Sequence, residues 1–576
     1  MLPGRHAHLA PAQPEAPCHT YCNPINPDYG YAPNPIYTAA GRHRATADPV
    51  ITLFKGTYYL FSTNQRGYWW SKGLYDWKFI ERTFIPPGVK NLDDLCAPAV
   101  CAVGNTLLVF GSTQKKDFPL WPSTDPLHNE WKHAVYPFQI GAWDPDFFLD
   151  TDGKLYLYWG SSNEFPLYGQ QISRHTFQPI GEPKAMFSLN DKQFGWQRFG
   201  EYLDNIFLDP FMKGAWMTKH GGKYYLQYGA PGTEFSSYAD GVQVADQPLG
   251  PFVPQAHNPV SYKPGGSARG AGHGNTFQDV WGAWWHVPTM VVAVKNNFER
   301  RLGLWPAGFD KDGVLYADTD FGDYPHYLPT GPTDHLKTSF ADWMLLNYQK
   351  PVRASSTLGG YASNLAIDES IKTYWSAATG GSGEWFQTDL GRVSTVRAVQ
   401  INYADQDAEF LGKQMGTYHQ YKLYSALDGR KWQMLVDKSR NRTDVPHDYI
   451  ELPQAVQTRY LKLKDVHMPT GKFALSSPRV FGSAGIPKPA AVREFVVLRT
   501  THDKRSAWLR WAPSGDTYAY SIRVGTTPDK PYHSILVHDQ NNDYFKGMDK
   551  DRPHYFTIEA VNESGFGPAG PVQTAP

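Results

Sequence analysis

Residues Asp144 to Ser162 read DPDFFLDTDGKLYLYWGSS: an apolar run, a Thr-Asp-Gly turn, then a second run of alternating aromatic and aliphatic residues. Two such runs around an Asp-Gly turn are a hairpin signal. The pattern returns four times, in DPVITLFKGTYYLFST from Asp48, CAPAVCAVGNTLLVFGST from Cys96, KGAWMTKHGGKYYLQYGAPG from Lys213 and AGHGNTFQDVWGAWWHVPT from Ala271. Anchored on Tyr59, Leu108, Tyr156, Tyr225 and Trp285, the units recur every ~50–70 residues, a repeat of the β-propeller kind. Five hairpin units predict a five-bladed propeller over residues 31–335, within an all-β chain. A propeller brings the start of every blade to one central funnel, so Asp48 and Asp144 are expected to face one small ligand.

Bulk composition narrows the function classes. At 576 residues the chain is too long for one core, and several domains are expected. Fifty-five basic residues balance 55 acidic ones, so no basic field is available for nucleic acid. Aromatics reach 15%, which suits β-sheet cores and also sugar binding by ring stacking. No apolar stretch is long enough for a membrane helix, and no membrane insertion is expected. Residues 1–30 are Pro-rich, carry no apolar signal core, and are expected to wrap over the first domain's surface. Cys18, Cys22, Cys96 and Cys101 lack the spacing of a zinc site, leaving disulfides or buried thiols.

Two further units follow. Residues 342–484 contain NLAIDESIKTYWSA, EWFQTDLGRVSTVRAVQINY, YKLYSALDGRKWQML and TRYLKLKDV. Their order resembles the discoidin-like jelly roll, the factor V/VIII C-type domain also seen in carbohydrate-binding module family 32. That resemblance implies a structural calcium near Asp368, helped by carbonyls around Thr373. Ser476 and Ser477 stand where the family's closing acidic ligand is expected, which removes a carboxylate from a hard-cation set. Residues 487–576, with RWAPSGDTYAYSIRV and HYFTIEAVNESGFGPAG, resemble a fibronectin type III sandwich acting as a spacer.

In the first domain, Asp48 and Asp144 both stand before Pro at the head of an apolar run, where Pro enforces an extended entry. Each reads either as a turn Asp capping a strand or as a carboxylate aimed into the funnel. Asp152, inside the TDG turn, is explained by the turn itself. Residues about 30–330 resemble glycoside hydrolase family 43, propeller enzymes of the arabinofuranosidase and xylosidase clan. The resemblance implies Asp48 as general base and Asp144 as pKa modulator. The family's general acid is the Glu of an E-G-P or E-G-A motif, and in MKGAWMTKHGGKYYLQY that position holds Lys213. Glu201 and Glu234, in loops flanking the fourth unit, are the alternative acids. His43, Arg44, Trp143, Trp196, Arg198, Arg269 and His273 are the expected substrate-binding residues. Arginines there would suit an anionic sugar.

The expectation is therefore a secreted or periplasmic, exo-acting, inverting glycoside hydrolase that requires no cofactor. It would remove arabinofuranose, galactofuranose or xylose residues from plant or algal polysaccharides. Because Lys213 replaces the acid, a catalytically impaired propeller that binds glycans is the alternative.

Overall fold

The computed structural model describes residues 19–29, 44–63, 65–84, 95–112, 117–137, 142–294, 296–409 and 416–576. Strands dominate, and the α-helix among the described residues is the single turn His335–Thr338. Three consecutive four-stranded antiparallel sheets open the first domain, beginning at Ala47–Phe54, Ala99–Val103 and Asp146–Leu149. Two more antiparallel units begin at Lys213–His220 and Arg269–Gln278, joined into one sheet by the parallel pair Ala239 and Ala271.

The first strands of these five units are spatial neighbours in chain order, and the fifth returns to the first. Side chains of one unit hold the strand start of the next at most of the seams. Thr63 Oγ1 accepts from the Ala97 amide at 2.7 Å, and Ser112 Oγ from the Asp144 amide at 3.0 Å. Asp240 Oδ1 accepts from the His273 amide at 2.6 Å, and Thr289 Oγ1 from the Asp48 amide at 2.8 Å. At the remaining seam Ser162 and Met212 exchange backbone hydrogen bonds of 3.0 and 2.9 Å. The last unit thus bonds to the first, and the ring closes through hydrogen bonds between the two units.

The second domain is an eight-stranded sheet in which the long strands Trp385–Tyr403 and His447–His467 pair side by side. Trp375, Phe386, Phe473 and Leu475 fill its core. The third domain has two facing sheets, one of Val496–Arg499, Ala507–Arg510 and Asn542–Phe545, the other built on Ala519–Gly525 and His554–Asn562. Its core runs without a break into Trp196, Met212 and Tyr228 of the first domain.

Buried charge ties the domains together. Arg44 is fully buried, with Nε 2.9 and 3.0 Å from the two oxygens of Asp444 and Nη1 bonded to Asp405. Arg479 makes a bidentate pair with Glu369, both bonds 2.9 Å. Arg44→Met would leave the Asp444 carboxylate buried without its partner, which typically costs roughly 3–5 kcal/mol. Thermal unfolding of the full chain should show a loss of that order.

The N-terminal segment departs from expectation. Thr20–Tyr21 pairs with His326–Tyr327, and Thr20 Oγ1 bonds to Tyr449 and Glu451 of the second domain. Residues 19–29 are largely buried at the domain junction, where their polar groups find partners rather than water. Cys22 and Cys101 are buried free thiols, and Cys18 lies outside the described residues.

Candidate active site

Five residues at the strand starts share one unusual backbone state. Asp48, Ala97, Asp144, Gly214 and His273 have φ of 51°, 42°, 49°, 70° and 48°. Left-handed backbone in non-glycine residues is uncommon and concentrates at functional sites. Here it recurs at the centre of the ring, where it turns three chemically active side chains toward one another.

His273 sits between the two aspartates. Its Nδ1 lies 3.0 Å from Asp48 Oδ1 and 3.8 Å from Asp144 Oδ2. Thr63 Oγ1 donates to Asp48 Oδ2 at 2.8 Å, and Arg300 Nη1 stands 3.8 Å from Asp48 Oδ1. Burial alone would raise the Asp48 pKa, but His273 and Arg300 outweigh it and hold the carboxyl far below its usual range. Asp144 goes the other way: burial pushes it up, and the neighbouring Asp48 charge adds to that. Two carboxyls in one site with pKa values driven apart can perform different proton-handling tasks. Burial would lower His273, yet Asp48, Asp144 and Asp240 together raise it, so the imidazolium is favoured. The Asp240 carboxylate also accepts from the Gly274 amide at 2.8 Å and lies 3.0 Å from His286 Nε2.

Lys213 opens the fourth inner strand, one residue before left-handed Gly214. Burial pulls its ammonium below the ordinary lysine value, against the attraction of Asp144 and Asp48. Its Nζ lies 5.4 Å from the Phe211 ring centre and 6.0 Å from that of Tyr238. Gly214 is required here twice over, by its φ and by a Cβ position 2.6 Å from the His273 ring. Gly214→Ala should push His273 off Asp48, lowering activity about 10-fold and stability by about 1–3 kcal/mol. Steady-state kinetics and unfolding of the same preparation would measure both.

Beside Asp144 a cleft of about 450 Å³ is lined by Trp143, Trp159, Ser161, Phe165 and Tyr168. Ser161 reaches the Asp144 carboxyl, so the cleft adjoins the charged cluster and offers aromatic faces to a ligand.

Parts of the chain are similar to known proteins. Residues 33–315 match the sequence model described as glycosyl hydrolases family 43. Residues 351–477 match the F5/8 type C domain. A "Beta-xylosidase" from Xylanibacter ruminicola is 27% identical over 158 residues, 24% of this chain and 45% of that protein. A "Beta-D-galactofuranosidase xynD" from Aspergillus niger is 30% identical over 138 residues, 24% of this chain and 33% of that one. The chain thus spans less than half the length of these curated relatives. A solved "thermostable family-43 glycoside hydrolase" is 22% identical, with TM-score 0.41, over 52% of this chain and 95% of that one.

Several expected site residues of the first domain lie elsewhere. Arg44 is spent on the second domain, as described above. Trp196 is 1% exposed and packs on Tyr228 in the core, so its faces are closed to a sugar. Arg198 pairs with Asp503 and donates to the Lys546 carbonyl of the third domain. Arg269 donates to the Gly266 carbonyl and acts electrostatically on Asp368, toward the second domain. Glu201 accepts from the Ser236 amide at 2.7 Å and pairs with Lys372 at 3.0 Å, which hold it ionised and unsuited to donate a proton. Glu234 is within electrostatic reach of Lys213 but makes no ion pair with it among the described residues. Trp143 lines the cleft. His43 lies outside the described residues.

The structure adds Arg300 and Tyr238. Arg300 is bonded through Nη1 to Thr233 at 2.7 Å and leaves Nε without a partner; the buried Tyr238 hydroxyl is likewise unpartnered. Neither opens the first strand of a repeat unit, where the repeat pattern directs attention, and only a ring closed in space brings them to its centre.

The calcium implied at Asp368 meets a poor donor set. Both carboxylate oxygens accept from Thr373 Oγ1, at 2.9 and 2.8 Å, and one also from the Ser370 amide. Among the described residues no group of three or more His, Cys, Asp or Glu could hold a metal.

Asp146 is a buried carboxyl off the cluster, with Oδ2 accepting from the Met217 amide at 2.7 Å and Oδ1 unpartnered. Burial lifts its pKa from 3.8 to about 8. The folded chain keeps this proton where the unfolded chain releases it, so Asp146 erodes stability as pH rises from about 4 to about 8. Asp146→Asn should remove that decline, leaving the variant more stable than the parent by more than about 1 kcal/mol at pH 8. Little difference is expected at pH 4, and denaturant unfolding at the two pH values checks this.

Proposed function

We propose that this chain is an exo-acting, inverting glycoside hydrolase working on a five-bladed β-propeller, with Asp48 as the base that activates water. The observation that carries this reading is the meeting of Asp48 and Asp144 on His273 at the centre of the closed strand ring. An oxocarbenium-like transition state needs a carboxylate that stays ionised, and the fields of His273 and Arg300 supply that condition at Asp48. Asp144, with its pKa raised, tunes and orients the proton-handling groups. The substrate class is arabinofuranosides, galactofuranosides or xylosides of plant or algal polysaccharides, in keeping with the names of the relatives. The discoidin-like jelly roll holds the enzyme near its polymer or buttresses the propeller, and the C-terminal sandwich, of fibronectin type III kind, acts as a spacer. Secretion or a periplasmic location, and operation without a cofactor, belong to the same reading.

Lys213 favours a second reading, a propeller that binds glycans without turning them over. Sugar release from arabinans, galactans, xylans and algal glycans by the wild type and by Asp48→Asn decides between them. Release that disappears in Asp48→Asn supports the hydrolase. Binding of the same glycans with no release by either protein supports the binding protein.

A further inference from the structure

At four seams of the strand ring a side chain accepts the amide of a left-handed residue, and three of these acceptors are hydroxyls. Thr289 takes the Asp48 amide, Thr63 that of Ala97 and Ser112 that of Asp144. At the fourth, Asp240 Oδ1 takes the His273 amide at 2.6 Å. A hydroxyl would close this seam as it closes the others, so the bond alone does not account for a carboxylate that is 1% exposed. Burying a carboxylate is costly unless its charge is matched. No Lys or Arg pairs with Asp240 among the described residues. Its Oδ2 accepts from the Gly274 amide at 2.8 Å and lies 3.0 Å from Nε2 of the fully buried His286. Its other counter-charge is the His273 imidazolium, which Asp240 helps to favour. The backbone is shaped for this approach. Gly229 stands opposite Asp240 in the strand register, and a Cβ there would lie 2.9 Å from the His273 amide nitrogen.

Resting on the hydrolase reading, we propose that Asp240 is a positioning residue: its fixed charge and its bond to the His273 amide hold the imidazolium against Asp48 throughout the reaction. Asp240 makes no bond to Asp48 or Asp144 among the described residues and acts on them only through His273. The charged and titratable groups around His273 and Asp48 are Asp144, Asp240, Lys213, Arg300, His286 and Tyr238. Among the carboxylates, Asp48 becomes neutral when it takes the proton from water. Asp240 takes no part in that transfer and keeps its charge. The imidazolium therefore retains a carboxylate partner at the moment when Asp48 is neutral, and returns Asp48 to its ionised form once the proton leaves. A side chain held in place in this way need not be repositioned at each turnover.

The test compares the full-length wild type with Asp240→Asn and Asp240→Ser. Both variants retain an acceptor for the His273 amide, the second in the form used at the other seams, and both lack the charge. NMR of histidine-labelled protein follows the His273 titration, its resonance assigned by loss in His273→Gln. Kinetics across pH use the glycan from which the wild type releases most sugar. In both variants the midpoint of the His273 titration should move down by about 1 pH unit or more. The alkaline limb of kcat/KM should move down with it. At pH 7 kcat should fall about 10-fold, with KM within about 3-fold of the wild type. A His273 midpoint unchanged in Asp240→Asn overturns the proposal, because Asp240 is then a strand cap like the three hydroxyls. A midpoint that moves while the rate profile stays in place overturns it as well. Melting temperature shows whether each variant folds, and if neither does the carboxylate is structural and the proposal falls. No sugar release by the wild type overturns the hydrolase reading instead, and the His273 titration then decides by itself whether Asp240 holds the imidazolium.

Discussion

Asp48→Asn is expected to lower kcat/KM by about 10²–10⁴-fold on any substrate the wild type hydrolyses, the usual contribution of a positioned general base. The amide keeps the shape of the side chain and can still accept the Thr63 hydroxyl, so the strand start should survive. What disappears is the charge that faces His273 at 3.0 Å and Arg300 at 3.8 Å. Stability reports that loss with a definite sign. The depressed Asp48 pKa contributes above its unfolded value near 3.8, and that contribution fades as pH falls through the folded value. The raised His273 pKa contributes below its unfolded value near 6.5, and that contribution fades as pH rises through the folded value. Both conditions hold together between about 4 and 6.5, so the stability gap between wild type and Asp48→Asn should be widest there. Unfolding midpoints across pH 3–9 would reveal it. A gap that does not vary with pH would mean that the two side chains do not share charge in solution.

Lys213→Glu is the second large effect and runs in the opposite direction. Turnover of xylo- and arabino-oligosaccharides should rise by about 10²–10⁴-fold, because a carboxylic acid gives its proton to the departing oxygen far more readily than an ammonium does. Burial beside Asp144 supplies the rest. A carboxyl there would have its pKa raised by desolvation and by a like charge, the conditions that keep a general acid protonated near neutral pH. Product analysis on oligosaccharides checks the gain, and an unchanged rate would remove position 213 from the leaving-group side of the site.

The two variants probe opposite ends of one bond-breaking event, and they differ in how visible their residues were beforehand. The Asp-Pro pairs at Asp48 and Asp144 stand out in sequence because the propeller repeat places both at the head of an apolar run. Lys213 stands out because Gly214 after it and the GGKYYL hairpin beyond keep the register of the repeat. The charged aromatic loops around Trp196, Arg198 and Glu201 looked equally suited to a substrate. Their polarity is consumed instead by Asp503, Lys546 and Lys372 of the other two domains. Local sequence does not distinguish a polar residue that meets a ligand from one that meets a neighbouring domain, since both need the same chemistry.

Sequence by itself determined the all-β class, the five repeated hairpins and the two aspartates at the strand starts. These follow from period and turn chemistry, which are local properties. Only the tertiary structure decided that Arg44 bridges two domains, that Arg300 and Tyr238 join the cluster, and that His273 lies between Asp48 and Asp144. Those outcomes depend on closing a ring of strands more than 200 residues apart in the chain, as when the Asp48 amide reaches Thr289 across a separation of 241. Contacts at that range are set by how whole sheets pack, and no local pattern of residues encodes which side chains then meet.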